Sequence, residues 1–183
     1  GLGLPPAYPI ARAHLQIGNH VTLIVGFRSE SLLFWNGEGQ RLVTLKEEFG
    51  DQVDIIYTSD DGSFGIPGLV TGPLQEMLDD GESKIAEVVT IGPARMMAAV
   101  ADVTRPYGIR THASVNSIMV DATGMCGACM VPFYEDGKLV RKHACIDGPE
   151  LDAHAIDWEK FLPRFNQFRS QERSSLHRAQ LTL

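Results

Sequence analysis

Asp121, Cys126, Cys129 and Cys145 are the residues of this 183-residue chain whose types and spacing suit metal chemistry. The centre of the pattern is Asp121-Ala-Thr-Gly-Met-Cys126-Gly-Ala-Cys129, and Cys145 follows after a probable hairpin. Plant-type [2Fe–2S] sites use Cys-x4-Cys-x2-Cys with a distal cysteine. Here an aspartate stands in the first place, and the chain's three cysteines fill the others with none left over. Two irons need four anionic ligands on a loop short enough to wrap them. Small residues, here Gly124, Gly127 and Ala128, let backbone N–H groups reach the sulfides. A carboxylate is a harder donor than a thiolate, so Asp121 is expected to shift the potential relative to an all-cysteine site. Zinc is the competing occupant, since it accepts three thiolates plus one nitrogen or oxygen, which His143 or His154 could supply. Zinc ribbons generally pair two Cys-x-x-Cys knuckles, however, and this chain has one. Buried inert thiols are a third reading. His143 and His154 taken alone read as surface or supporting histidines.

The elements that must position this loop show a change of pattern along the chain. Residues 5–17 read as a helix opened by Pro5 and Pro6 and stopped by Gly18-Asn19. His20–Gly26 is a nearly continuous apolar run, as in a strand buried on both faces. Ser31–Phe49 reads as helix, with Leu32, Leu33, Leu42, Leu45 and Phe49 as core contacts, although Gly37 and Gly39 interrupt its middle. Val53–Thr58 is the next strand, Thr71–Leu78 a short helix and Glu87–Ile91 a strand. Gly92-Pro93 opens a helix to about Thr104, and Gly108–Ser114 is a last strand. Strands alternating with helices imply βαβ units, a parallel sheet and helices on both its faces. Beyond Ser117 come short loops, then strands over Met130–Tyr134 and Lys138–Ala144 joined by Glu135-Asp136-Gly137. Ile146–Asp157 reads as loop and Trp158–Phe168 as a closing helix. The expected organisation is a nucleotide-binding α/β domain over 1–115, a small β-hairpin cluster subdomain over 116–160 and a C-terminal helix or tail over 161–183.

Bulk composition narrows the function classes. The chain is 44% hydrophobic and 21% charged, enough for a real core. It has no apolar run of ~18 residues, so no membrane span is expected, and no leader pattern signals secretion. Three cysteines, two as Cys-x-x-Cys, suit a metal site in a reducing compartment, which points to the cytoplasm. The formal charge of −7 argues against nucleic-acid binding. From Arg164 onward, Arg169, Arg173 and Arg178 face only Glu172, which makes a solvated tail or a docking strip for an acidic partner.

Three loops suit a dinucleotide. Gly1-Leu-Gly-Leu-Pro-Pro has the form of a turn between strand and helix, so a strand is expected ahead of it in a longer protein. Glycines let backbone approach a pyrophosphate at a helix N-terminus, though a plain tight turn reads equally well. Ser59-Asp60-Asp61-Gly62-Ser63 follows a parallel strand, where ligands bind in open α/β folds; a solvated turn is the alternative. Ile91-Gly92-Pro93 again follows a strand and opens a helix. Arg28 could reach an adenosine ribose or its phosphate, or be an ordinary surface arginine.

Taken together, Asn116-Ser-Ile-Met-Val-Asp-Ala-Thr-Gly-Met-Cys-Gly-Ala-Cys129 and Cys145-Ile-Asp-Gly-Pro-Glu150 resemble one family over roughly residues 1–160. It comprises the electron-transfer subunit of dihydroorotate dehydrogenase, the sulfide dehydrogenase β subunit and the small subunit of NADH-dependent ferredoxin:NADP⁺ oxidoreductase, all in the ferredoxin reductase superfamily. The Asp121 variant resembles the sulfide dehydrogenase and ferredoxin:NADP⁺ branch, where Asp and three Cys bind the [2Fe–2S] cluster. The dihydroorotate branch usually has four cysteines. Ala122 replaces the glycine usual at its position, which matters if the residue needs φ > 0. The resemblance implies an FAD-holding β-barrel ahead of this sequence. It also places Gly1, Gly3, Ser59, Asp60, Asp61, Gly62, Ser63, Gly92, Pro93 and Met96 around the nicotinamide dinucleotide and the flavin edge. The implied activity is electron transfer from NAD(P)H through FAD and the cluster to a larger flavin/iron–sulfur partner subunit, with ferredoxin as a further partner and no side chain acting as acid or base. Two rivals remain: a dihydroorotate dehydrogenase subunit, and a non-enzymatic, zinc-stabilised interaction domain on a Rossmann-like scaffold.

Overall fold

The computed structural model describes residues 1–81 and 84–180, the side chains of 178–180 excepted. The chain divides into two compact units, Gly1–Thr111 and His112–Leu183.

The first unit is built on α1 (Leu4–Gln16), β1 (Val21–Phe27), α2 (Arg41–Phe49), β2 (Val53–Ser59), β3 (Ile66–Pro67), α3 (Thr71–Asp80), β4 (Glu87–Thr90) and α4 (Ala94–Thr104). β1 and β2 pair in parallel, Val21 opposite Val53 through Phe27 opposite Ser59, and β3 adds a two-residue parallel edge to β2. Strand side chains alternate between faces, and both faces of β1 are covered. Leu23, Val25 and Phe27 pack with Leu4 of α1 and Leu42 of α2. Ile24 points the other way, to Leu74 and Leu78 of α3 and Val100 of α4. That explains the unbroken apolar run of the strand and gives the expected parallel sheet with helices on both faces.

Three expectations fail. Ser31–Phe49 is not one helix: a 3₁₀ turn covers Glu30–Leu32, and α2 begins only at Arg41. Trp35 takes φ 65° and Gly39 φ 70°, which no helix tolerates. The intervening Leu33, Phe34 and Trp35 instead pack onto the sheet core, while Leu32 is 54% exposed and contributes nothing to it. Tyr8, Trp35 and Phe34 stack edge to face, and the Arg41 guanidinium lies over Tyr8 and Trp35.

The second failure lies in the other unit. β5 (Arg110–Ser114) runs across the division, followed by β6 (Met130–Glu135), β7 (Lys138–His143), β8 (Glu150–Asp152), α5 (Trp158–Phe161) and α6 (Arg169–Gln180). Residues 146–157 are not all loop. β8 pairs antiparallel with β5, His112 opposite Asp152 and Ser114 opposite Glu150. Three residues with charged ends carry no local strand signal; the pairing with β5 makes the strand. Third, Trp158–Phe168 is not one helix. Pro163 cannot continue it, so α5 stops at Phe161 and a 3₁₀ turn over Leu162–Asn166 follows. The hairpin keeps its expected turn, with Asp136 at φ 52° and Gly137 at φ 73°, the left-handed pair of a two-residue loop. Among the described residues no helix is long and apolar enough to cross a membrane. The side chain of Arg178 lies outside the described residues.

Candidate functional site

The β6–β7 ladder ends with Met130 opposite His143. One more bond, Ala144 N–H to the Cys129 carbonyl at 3.1 Å, carries it to the foot of the hairpin. Cys129 therefore enters the hairpin where Cys145 leaves it. Their thiols share a hydrogen bond at 3.3 Å, with Cys129 buried and Cys145 half-buried. That bond, aided by burial and opposed by the Gly124 backbone N–H, pushes the Cys145 thiol up from its ordinary value.

Asp121 and Cys126 form a second pair on the exposed side of the loop. The Asp121 carboxylate accepts the Thr123 N–H at 3.0 Å. This bond first, with further ones from Cys126 and the Thr123 side chain, holds its pKa below the usual carboxylate range. Cys126 Sγ in turn accepts the Ala128 N–H at 3.5 Å. The chain turns this tightly because Ala122, Gly124 and Gly127 have φ of 59°, 82° and 66°. Ala122, where the resemblance leads one to expect glycine, thus occupies a left-handed position.

No group of three or more His, Cys, Asp and Glu among the described residues is arranged to hold one metal ion. The donors stand two and two instead. That arrangement suits a pair of metal atoms taking two protein ligands each, with backbone N–H groups of Gly124 and Ala128 already directed at ligand sulfurs. The donor chemistry therefore fits a [2Fe–2S] cluster. His143 and His154 complete no group of three donors among the described residues; the backbone N–H of His143 donates to Asp147 at 2.5 Å, and that of His154 to Asp152 at 2.9 Å.

The first-unit residues expected to border a dinucleotide gather at one end of β1 and β2. Gly3 lies against the backbone after β4; a Cβ there would sit 2.0 Å from the Ile91 carbonyl oxygen. The Gly1 nitrogen donates to the Gly26 carbonyl at 2.5 Å. Asp60 and Asp61 N–H groups donate to the Phe27 and Arg28 carbonyls at 3.0 and 3.1 Å. The loops after β1 and β2 and those before α1 and α4 thus form one rim. Arg28, Asp60, Asp61, Gly62, Ser63 and Pro93 are exposed along it. Ser63 Oγ accepts the Glu30 N–H at 2.7 Å and donates to Asp61 at 2.6 Å. The Ser63 hydroxyl, then its N–H, depress the Asp61 pKa. Ser59 is buried, and its hydroxyl closes the loop by donating to the Phe64 carbonyl at 2.6 Å. Gly92 packs on Met96, whose Cε would lie 2.8 Å from a Cβ at Gly92. The first turn of α1 offers fewer donors than a usual helix start. Pro5 and Pro6 have none, and the N–H groups of Leu4 and Ala7 go to the Gly1 and Gly3 carbonyls.

Residues 116–157, which include Asp121 and the three cysteines, match the iron–sulfur cluster binding domain of dihydroorotate dehydrogenase B. The chain is 36% identical over 178 residues to a Thermotoga maritima protein named dihydroorotate dehydrogenase B (NAD(+)), electron transfer subunit homolog, spanning 97% of this chain and 57% of that one. It also resembles a chain of the NADH-dependent reduced ferredoxin–NADP oxidoreductase structure, solved for insight into flavin-based electron bifurcation. The TM-score is 0.76 at 35% identity, over 97% of this chain and 59% of that chain. Over nearly its whole length the chain is thus similar to part of ferredoxin-reductase-like electron-transfer subunits. Another relative, 34% identical over 172 residues, is a Clostridium beijerinckii protein described as uncharacterized in the adh 3′ region; the match covers 94% of this chain and 54% of that protein. The chain spans a little over half the length of the curated relatives it matches.

Two residues at the site have no signal in the sequence pattern. Ser117 Oγ donates to the Cys129 carbonyl at 3.4 Å, and Arg164 Nη2 to the Ala128 carbonyl at 3.1 Å. Both hold carbonyls of the Cys126–Cys129 loop, Arg164 from a segment that reads as closing helix or tail.

Proposed function

We propose that this chain is part of the electron-transfer subunit of an NAD(P)H-linked flavin/iron–sulfur oxidoreductase, holding a [2Fe–2S] cluster on Asp121, Cys126, Cys129 and Cys145. The observation that carries this is the two-and-two pairing of those side chains on a loop with left-handed turns and inward N–H groups. When bound, the groups supply hydride chemistry at the nicotinamide, a two-electron to one-electron conversion at FAD and single-electron transfer at the cluster. The residues do the rest. Gly1, Gly3, Gly92 and Pro93 bring the starts of α1 and α4 together on the rim where a dinucleotide would lie, and Met96 backs the Gly92 turn. Ser59 and Ser63 brace the loop that presents Asp60, Asp61 and Gly62, and Arg28 faces the adenosine end. Asp121 holds a negative charge on an oxygen rather than a sulfur, while Gly124 and Ala128 N–H groups stabilise thiolate charge. No side chain needs to act as acid or base.

FAD is held chiefly by polypeptide outside this chain. Residues 1–115 serve the nucleotide, 116–160 the cluster, and 161–183 close and extend the second part. The partner is a larger flavin/iron–sulfur subunit in the reducing cytoplasm, with ferredoxin as an exchanging protein. Asp121 in the first ligand place favours the ferredoxin:NADP⁺ or sulfide dehydrogenase type. A dihydroorotate dehydrogenase B subunit is the second reading, favoured by the name of the Thermotoga relative. Anaerobic purification of the full-length protein tests the main reading. A red-brown protein with two irons and two sulfides per chain, and a large co-purifying subunit, is expected; a colourless zinc protein defeats it. Asp121→Cys should keep the cluster and move its potential, and an unchanged potential removes Asp121 from the ligand set. Orotate formation by the complex would select the second reading.

A further inference from the structure

Downstream of the matched stretch 116–157, the polypeptide turns one cation back onto the cluster loop. The turn is made by Pro163, which ends α5 and starts the 3₁₀ segment Leu162–Asn166. Its base is fixed by aromatic packing. Phe161 is fully buried, with Trp158 at 5.9 Å and Phe165 at 5.1 Å between ring centroids, and Trp158 Nε1 donates to the Ala153 carbonyl at 2.8 Å. Between Phe161 and Phe165 the chain presents Arg164, half-buried in a shallow recess with Ser117 and Ala128. Its Nη2 donates to the Ala128 carbonyl at 3.1 Å.

We propose that Arg164 is a positioning residue for the cluster: it clamps the peptide between Ala128 and Cys129 and sets a permanent positive charge behind the ligand loop, which raises the cluster's reduction potential and slows its loss. This rests on the cluster assignment made above. The clamp follows from peptide geometry. A trans peptide points its C=O and N–H in opposite directions. Drawing the Ala128 carbonyl outward to Arg164 therefore turns the Cys129 N–H to the other side of the loop. Ser117 holds the next carbonyl, that of Cys129, in the same way at 3.4 Å. The charge follows from chemistry. A guanidinium stays protonated at any working pH, and reduction adds one negative charge to an already anionic centre. A nearby cation stabilises the reduced form more than the oxidised one, by an amount that partial burial enlarges.

The test uses the full-length protein, loaded anaerobically with ferrous iron and sulfide, as wild type, Arg164→Gln, Arg164→Lys and, as a control for net charge, Arg169→Gln on exposed α6. The cluster's potential is read by redox titration of its visible absorbance, and its retention by bleaching with an iron chelator. Arg164→Gln should shift the potential negative and bleach several-fold faster. Arg164→Lys should recover much of the potential, and Arg169→Gln should match wild type. An unchanged potential in Arg164→Gln, a Lys variant as low as the Gln variant, or an equal shift in Arg169→Gln overturns the proposal while leaving the cluster assignment standing. If Arg164→Gln does not fold, Arg164→Lys decides alone: wild-type potential with faster bleaching supports the proposal, and identity with wild type in both overturns it. A wild-type protein that takes up no cluster overturns both readings.

Discussion

Ala122 is the residue at which the ligand loop departs from what its own side chain prefers. Its φ of 59° lies in the left-handed region, where a Cβ crowds the following carbonyl. Glycine carries no such penalty but loses more chain entropy on folding. The balance favours Ala122→Gly by about 1 kcal/mol, to be read from urea unfolding of the metal-free protein. A loss of stability instead would mean that the methyl group makes a contact worth more than the strain. Alanine itself signals nothing about φ; what pointed to this strain was the glycine usual at the position in the resembling family. The neighbouring Gly124 and Gly127 did announce a coiled loop. The four ligand candidates stand out by spacing, and the structure brings them together as two pairs, whereas Arg164 has no such signal, since its partner is a backbone carbonyl 36 residues away.

Helix and strand patterns were legible where an element buries a regular face and illegible where tertiary contacts override it. β1 declared itself through a nearly continuous apolar run. The segment before α2 did not: Leu33, Phe34 and Trp35 are apolar enough to read as helix, yet they pack as an irregular strap. The rim of loops at the end of β1 and β2 depends on close backbone approach, and Gly3→Ala tests it. The added Cβ would collide with the Ile91 carbonyl, and backbone cannot yield as a side-chain tip can. Overpacking of this kind costs about 1–3 kcal/mol. The variant should lose stability in urea and also lose pyridine-nucleotide binding by fluorescence titration; retained binding would place the nucleotide elsewhere. At α5, the Asp157 carboxylate caps the helix by accepting the Lys160 N–H at 3.0 Å, with Lys160 Nζ at 2.7 Å and the Tyr134 hydroxyl at 3.2 Å. The Lys160 side chain first, then its N–H, lower the Asp157 pKa. A depressed carboxylate contributes stability that is present above its unfolded value and lost as pH falls through its folded one. Asp157→Asn should therefore flatten the acid limb of the Trp158 unfolding signal below the ordinary aspartate range, with little change in that slope near neutrality. An unaltered acid limb would assign that loss to other carboxylates.

At the scale of the whole chain, alternation of strands and helices followed by a hairpin told of two kinds of structure. The division at Thr111 and His112 falls inside β5, where no linker composition marks it. Each unit happens to carry one of the chain's two tryptophans: Trp35 in the first, stacked on Tyr8 and Phe34, and Trp158 in the second. Single-tryptophan variants, Trp158→Phe and Trp35→Phe, therefore report the two units separately. A group that binds only the folded state stabilises it by RT ln(1 + [L]/Kd), about 2.7 kcal/mol at a hundredfold excess over Kd. All four proposed cluster ligands lie in the second unit, and the rim proposed for the dinucleotide lies in the first. Loading with iron and sulfide should raise the denaturant midpoint seen by Trp158 more than that seen by Trp35. Adding a reduced pyridine nucleotide should do the reverse. Each shift is measured within one variant, with and without ligand at one concentration, so differences in fluorescence yield or quenching do not enter, only midpoints. Equal shifts of both midpoints with either ligand would mean that the two units unfold as one cooperative body and that the ligand energy of each is shared by the other.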